Sequence, residues 1–153
     1  MHLNEILRPE MVWPRLSAKT KHEAIEELAR RIAESDAALD GSAVATVLFE
    51  REKLGSTGIQ DGVAIPHAKV PGLAHILIAF GRSLDGIDFQ AHDGKPTHLF
   101  FVLLAPAFAS GQHLKALARL SRILKDASFR DELMAAQDAQ ELYNAIVRED
   151  ART

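Results

Sequence analysis

The 153-residue sequence contains no cysteine, no long apolar run and little net charge. The absence of cysteine excludes disulfides, a thiol nucleophile and any zinc site that uses cysteine ligands. No apolar stretch approaches the ~20 residues that span a bilayer, and the N-terminus has no signal-peptide core, so we expect a cytoplasmic protein without membrane insertion. The formal net charge of -3 provides no general attraction to nucleic acid or to anionic lipid.

Length and composition predict a single domain. A chain of 153 residues with 47% hydrophobic and 25% charged residues is typical of one globular unit. The sequence has no internal repeat, low-complexity segment or long linker. We therefore expect one domain over residues 1–153, with its core at about residues 3–148 and a frayed end over residues 149–153.

Two amphipathic helices are predicted in the first third of the chain. Thr20 and Glu23 have the spacing of a capping box, which predicts that a helix begins there. Asp40 or Ser42 can cap the second helix, which we expect to end near Lys53 because a glycine follows shortly after.

Short apolar runs that alternate with helical patterns indicate an α/β fold class. The predicted strands cover residues 12–16, 63–65, 75–81 and 97–105, and the first is expected at a sheet edge because it contains Pro14. Three helices are predicted to follow at about residues 112–125, 129–136 and 139–148, with Ser128 and Asp138 as caps of the last two.

The stretch REKLGSTGIQDGVAIPHAKVPGL, residues 51–73, carries the strongest functional signal. Its glycines allow sharp bends and leave backbone N–H groups uncovered, which suits a concave site. Pro66 cannot donate to a sheet ladder, so we expect strand pairing to end there. His67 then follows at the carboxyl edge of a strand, where open α/β sheets bind ligands. The sequence thus predicts an imidazole that is presented to a pocket.

A second histidine and an arginine are candidates for the same pocket. His113 is expected in the first turn of the helix that follows the last strand, so it also projects from the carboxyl side of the sheet. The start of that helix carries partial positive charge and can bind anions. The guanidinium of Arg51 can bind phosphate oxygens through two hydrogen bonds and does not deprotonate. An imidazole nucleophile with these neighbours favours a phosphoryl group over a carbonyl or a metal ion.

Simpler structural roles stay open for each of these residues. His67 could be a structural or surface histidine, and His113 could only cap its helix. Arg51 could be a solvated charge at a helix end, where an ion pair contributes little stability. Ser56 and Thr57 could serve only the turn in which they lie.

The residues around both histidines resemble the EIIA domains of the phosphotransferase system, in the fructose/mannitol class. The matching segments are Arg51-Glu52, Leu54–Ile59 (LGSTGI), Gly62–His67 (GVAIPH), Leu103–Pro106 (LLAP) and His113–Leu124 (HLKALARLSRIL). The resemblance extends over about residues 3–147. Within the class it is greatest to the nitrogen-regulatory branch, the stand-alone EIIA called IIA-Ntr.

This resemblance implies a three-layer α/β/α sandwich around a mixed β-sheet and a reversible phosphohistidine carrier that needs no cofactor. His67 maps to the histidine that an HPr-like or NPr-like phosphocarrier protein phosphorylates on Nε2. His113 and Arg51 map to residues that assist phosphate binding. The residues of the glycine turn that map beside the phosphate are Ser56, Thr57 and Gly58. The implied further partners are regulatory target proteins, such as kinases or potassium transporters.

Elementary chemistry is consistent with this role. An unperturbed imidazole titrates near ~6.5, so at neutral pH most of it is the neutral nucleophile. The GSTG turn is not followed by Lys-Ser or Lys-Thr, so it is no nucleotide-binding P-loop, and a phosphorylated protein is a simpler phosphoryl donor than ATP.

Two positions depart from the family pattern, and other function classes stay open. Ala68 stands where the branch often has glycine, and the apolar Ala107–Ser110 segment stands where relatives are often acidic, which leaves the partner undetermined. A sugar-specific EIIA that passes phosphate to an EIIB component is the near alternative. A metal-dependent hydrolase is a distant one, because the seven histidines include no His-x-His or His-Glu-x-x-His spacing. A pure binding module would bind its partners equally well after His67→Ala.

Overall fold

A mixed five-stranded sheet forms the centre of the structure, a computed structural model that describes residues 1–153. A short 3-10 helix at Leu3–Glu5 begins the chain. The strands and helices then follow in the order β1 (Leu7–Trp13), α1 (Lys21–Ser35), α2 (Gly41–Glu52), β2 (Val63–Ala64), β3 (His67–Val70), β4 (Leu77–Ile87), β5 (Thr97–Pro106), α3 (Ser110–Ile123), α4 (Ala127–Ala135) and α5 (Ala139–Arg152).

The central strand of the sheet is β5. It pairs with β4 in antiparallel fashion on one side, and on the other side it pairs in parallel first with β2 and then with β3. Strand β1 lies at the far edge and runs parallel to β4. The short strands β2 and β3 therefore share one edge of the sheet, and the two residues between them interrupt the pairing.

Helices cover both faces of this sheet, which confirms the α/β/α sandwich that the family resemblance implies. Alternate residues of β5 enter different cores, because successive side chains of a strand point to opposite faces. Phe101 and Leu103 belong to a cluster of 21 buried residues with α3, α4 and α5. Phe100 and Val102 belong to a second cluster of 20 residues with α1 and α2.

Most helix starts agree with the capping residues read from the sequence. The side chains of Thr20, Asp40 and Asp138 each accept a hydrogen bond from the first turn of α1, α2 and α5. The prediction of Ser128 as a cap is wrong, because Asp126 caps α4 and accepts from the backbone N–H of Ser128. No helix is both long enough and apolar enough to cross a bilayer.

Several element boundaries differ from the predictions. Strand β4 continues to Ile87, beyond the predicted end at residue 81. The first strand covers Leu7–Trp13 instead of residues 12–16, so it ends immediately before Pro14, which has no N–H to donate. The frayed end predicted over residues 149–153 is wrong. Helix α5 continues to Arg152, and Glu149 and Asp150 are buried.

Candidate functional site

His67 is the first residue of β3, which corrects the prediction that strand pairing ends at Pro66. The proline interrupts the ladder because it has no N–H, but its carbonyl still accepts a hydrogen bond from Leu103 N at 2.9 Å. Pairing then resumes, with His67 opposite Leu103 in parallel register. The imidazole therefore lies immediately after the break between β2 and β3, and β3 continues beyond it to Val70.

The backbone fixes the tautomer of the His67 ring. Its Nδ1 atom lies 2.7 Å from the carbonyl oxygen of Ile65, which can only accept a hydrogen bond. The Nδ1 atom must therefore carry the proton, and the lone pair of the neutral ring is on Nε2. The Ile65 carbonyl is free for this contact because Pro66, the next residue, directs its own carbonyl towards β5, and successive carbonyls of a strand point to opposite sides.

His113 lies beside His67, as the sequence predicted. It is the fourth residue of α3, and its ring is edge-on to the ring of His67, with 5.3 Å between the centroids and 86° between the planes. His113 is buried, whereas His67 is half-buried. The structure thus brings the two histidines together where the edge strand faces the start of α3.

Burial makes both histidines less basic than in water. Burial lowers the pKa of His67 below its ordinary value of 6.5, the Arg51 charge lowers it further, and the Ile65 carbonyl and the Glu52 carboxylate oppose part of that decrease. Burial also lowers the pKa of His113, with smaller contributions from the charges of His67 and Lys69. Both shifts favour the neutral form of the ring.

Arg51 lies in the last turn of α2 and faces the same space as the two histidines. Its Nη1 atom donates a 2.9 Å hydrogen bond to the carbonyl oxygen of Gly55. This contact uses one of the five N–H groups of the guanidinium and leaves the others available to an anion. Arg51 thus supplies a permanent positive charge near His67.

The three predicted residues line one cavity of about 740 Å³ between the end of α2, strand β3 and the start of α3. Its polar lining is Arg51, His67, His113, Glu50, Lys69 and Ser110, and its apolar lining is Val47, Leu54, Ala68, Leu114 and Leu117. The cavity therefore holds two imidazoles and two cationic side chains, a composition that suits a small anion.

Sequence reasoning missed Lys69. Its Nζ atom lies 2.6 Å from the hydroxyl oxygen of Ser110, the first residue of α3. His67 and Lys69 are two residues apart in a strand, so they point to the same side, and this spacing is a signal that could have found the lysine. Ala68 and Val70, which alternate with them, belong to the opposite core.

The structure does not bring Ser56, Thr57 and Gly58 into the lining of this cavity. The Ser56 hydroxyl donates to the carbonyl of Phe89 at 2.8 Å and accepts from Gly58 N at 3.0 Å. Thr57 is buried, and its N–H and hydroxyl both bond to the carboxylate of Glu52. The polar groups of the glycine turn are thus engaged within the protein, and their contact with a phosphate stays a prediction.

Large exposed apolar side chains lie in the lining of the cavity and in the turn before α3. Leu54, Leu114 and Phe108 are 84%, 68% and 82% exposed, and the first two also belong to the lining. Phe108 lies in the turn that leads into α3. We call these three residues the apolar rim. No group of three or more histidine, aspartate and glutamate side chains is arranged to hold a metal ion.

The chain matches a known family over nearly its whole length. The model of the phosphoenolpyruvate-dependent sugar phosphotransferase system, EIIA 2, matches residues 5–149. A nitrogen regulatory protein of Bradyrhizobium diazoefficiens is 44% identical over 149 residues, which cover 95% of each chain.

Two further relatives bear on fold and function. The crystal structure of the nitrogen regulatory protein IIA-Ntr from Neisseria meningitidis is 37% identical, with a TM-score of 0.86, and the match covers 93% of this chain and 97% of that one. The fructose-specific EIIABC component of Bacillus subtilis is 35% identical over 150 residues, which are 98% of this chain but only 24% of that protein.

Proposed function

The chain belongs to the EIIA type 2 family of the phosphoenolpyruvate-dependent sugar phosphotransferase system, and from this membership we propose that it carries a phosphoryl group on His67 and regulates partner proteins according to its phosphorylation state. The observation that carries the proposal is the hydrogen bond from Nδ1 of His67 to the Ile65 carbonyl. It leaves Nε2 as the nucleophilic atom of a ring that lines an anion-compatible cavity.

The transfer needs only a neutral imidazole and positive charge around it. The lone pair of Nε2 forms a bond to phosphorus while the bond between phosphorus and the donor breaks, and its electron pair leaves with the donor. The proton on Nδ1 stays in place. Arg51 and Lys69 balance the phosphoryl charge, and His113 is close enough to donate a hydrogen bond to a phosphoryl oxygen. No cofactor takes part in these steps.

The donor is a second protein, an HPr-like or NPr-like phosphocarrier. The apolar rim supports this assignment, because large exposed apolar side chains around a polar cavity are typical of protein docking surfaces. The regulatory targets, for which kinases and potassium transporters are candidates, meet the same surface in the cytoplasm.

A sugar-specific EIIA is the second candidate. The match to a fructose-specific EIIABC component favours it, since that protein includes a segment 35% identical to this chain. The two functions differ in the fate of the phosphoryl group. A sugar-specific EIIA passes it to an EIIB component, whereas a regulator keeps it until a donor or target removes it.

The phosphocarrier proposal is tested by incubating the protein with labelled phosphoenolpyruvate, enzyme I and an HPr-type carrier. We expect acid-labile, base-stable label on the wild type and none on His67→Ala. The matched control is His75→Ala, which changes an exposed histidine and should be labelled normally. His113→Ala should accept label but pass it on poorly. Label that persists on His67→Ala would overturn the assignment.

A further inference from the structure

Glu52, the last residue of α2, has a buried carboxylate that the transfer steps above do not use. Its side chain is 6% exposed. The carboxylate accepts hydrogen bonds from the N–H and hydroxyl of Thr57, and it forms a 2.9 Å ion pair with Nζ of Lys21 on α1. A charged group is buried in this way only at a considerable free-energy cost, which its three donors offset.

A continuous series of hydrogen bonds connects this carboxylate to the reactive ring. Glu52 holds Thr57, the carbonyl oxygen of Thr57 accepts from Ile65 N at 3.1 Å, and the carbonyl oxygen of Ile65 accepts from Nδ1 of His67 at 2.7 Å. Each bond fixes the residue that makes the next one. The position of the Ile65 carbonyl, and with it the tautomer of His67, therefore depends on the anchoring of the glycine turn by Glu52.

The charge of Glu52 acts on the same ring. The groups that face His67 across the cavity are Arg51 at the end of α2, Lys69 on β3 and the ring of His113 on α3. Two of these three groups carry a positive charge. Glu50 also lines the cavity, but its side chain is 65% exposed and pairs with a lysine. Glu52 is thus the buried negative charge that opposes the cationic surroundings of His67.

We propose that Glu52 is a positioning residue for phosphoryl transfer, an inference that rests on the proposed function of His67. It anchors Thr57, and through Ile65 it keeps the Nδ1 proton of His67 directed away from the incoming phosphorus. When Nε2 forms its bond to phosphorus, the ring retains the Nδ1 proton and becomes positively charged. The carboxylate of Glu52 stabilises that positive ring, while the nearby charge of Lys21 offsets part of this stabilisation.

The test measures the pKa and tautomer of His67 by ¹⁵N NMR titration of the unphosphorylated protein. Glu52→Gln keeps the size of the side chain and removes its charge, so the pKa of His67 should fall by about half a pH unit. Lys21→Met removes the compensating cation, so the same pKa should rise. The matched control is Glu34→Gln on the exposed surface of α1, which should leave it unchanged. If Glu52 had only a structural role, the two substitutions would not shift the pKa of His67 in opposite directions.

Each outcome of this titration decides the proposal. A His67 pKa that stays unchanged in both folded variants, or that moves in the same direction in both, overturns it. If Glu52→Gln does not fold, Lys21→Met decides alone, and an unchanged or lowered pKa overturns the proposal.

In the labelling assay Glu52→Gln should accept phosphate up to about threefold more slowly, which corresponds to half a pKa unit. The titration needs no phosphoryl donor, so a wild type that takes up no label contradicts the phosphocarrier function without changing the NMR result.

Discussion

The tautomer of His67 is set by a single hydrogen bond at the margin of the sheet. A histidine with both ring nitrogens in solvent exchanges between two neutral tautomers, and only one of them has its lone pair on Nε2. Here the Ile65 carbonyl selects that tautomer, because it can accept a hydrogen bond but cannot donate one. In the proposed function, this hydrogen bond prepares the nucleophile without a separate general base.

The lowered pKa of His67 predicts how phosphate acceptance varies with pH. In the proposed function the neutral ring is the acceptor, and burial stabilises the neutral form, so the folded pKa lies below 6.5. The initial rate of labelling should therefore increase with pH through an apparent pKa below 6.5 and level off at higher pH. The measurement is the rate of label uptake from pH 5 to 8, with the pH dependence of the donor alone determined in parallel. A midpoint above 6.5 contradicts this account.

The sequence was sufficient to find the residues whose type and neighbours are distinctive. His67 follows Pro66 in a glycine-rich stretch, and His113 and Arg51 could be placed near it by the expected ends of helices and strands. Lys69 could have been found from its position two residues after His67 in a strand. Glu52 could not be recognised in this way, because a glutamate at a helix end is indistinguishable from a solvated surface charge. Its burial against Lys21 and Thr57 is set by long-range packing and is visible only in the structure.

At the scale of whole elements, Arg82 joins the sheet to a helix on one of its faces. This residue of β4 is 4% exposed and has no carboxylate partner. Its guanidinium instead donates to the carbonyl oxygens of Leu133 at 2.8 Å, Ala136 at 2.6 Å and Pro14 at 2.9 Å. The first two belong to the C-terminal end of α4, where carbonyl groups have no partner within the helix and the helix dipole is negative.

Arg82→Lys should therefore destabilise the protein although it keeps the charge. A single ammonium group cannot replace the planar array of donors, so at least one buried carbonyl loses its partner, at a cost of about 2 kcal/mol. Urea unfolding of both proteins measures the difference. Arg30→Lys, on the exposed face of α1, should unfold at the wild-type midpoint. Equal midpoints for Arg82→Lys and the wild type would contradict the helix-capping role.

Element boundaries were predictable where local chemistry decides them. The capping residues Thr20, Asp40 and Asp138 act within a few residues, so the starts of three helices could be read directly. Strand limits were less predictable, because a strand exists only against its neighbour. Pairing of β3 with β5 continues past Pro66 because the carbonyl of that proline still accepts a hydrogen bond from β5. No local sequence pattern predicts this contact.

At the scale of the whole molecule, the two chain ends are fixed to one another. The Asp150 carboxylate, on a side chain that is 2% exposed, accepts from Leu3 N at 2.7 Å and pairs with Nε of Arg119 on α3. The carboxylate thus joins the beginning of the chain, α3 and α5. The apolar strand runs predicted the α/β class and the family resemblance implied the layered architecture, but no pattern in the sequence indicated this polar connection between distant residues.

Asp150→Asn should lower the free energy of unfolding by about 2–3 kcal/mol. The amide keeps one acceptor but removes the charge, and Arg119 is then left partly buried without its partner. Chemical denaturation gives the size of the loss. Asp131→Asn, which neutralises an exposed aspartate on α4, is the control and should change stability little. If both variants lose the same amount, net charge and not the connection explains the effect.

The cavity beside His67 also limits which partner proteins can bind at the same time. In the proposed function, the half-buried ring of His67 has one nitrogen available for phosphoryl transfer, so the protein that donates the phosphoryl group and the protein that accepts it must bind over the same cavity and cannot bind together. Phosphorylation and onward transfer are then two separate encounters. The nitrogen–phosphorus bond must persist for longer than the protein takes to diffuse from one partner to the other. The phosphorylated fraction of the protein then reflects the relative rates at which it meets its donor and its acceptor.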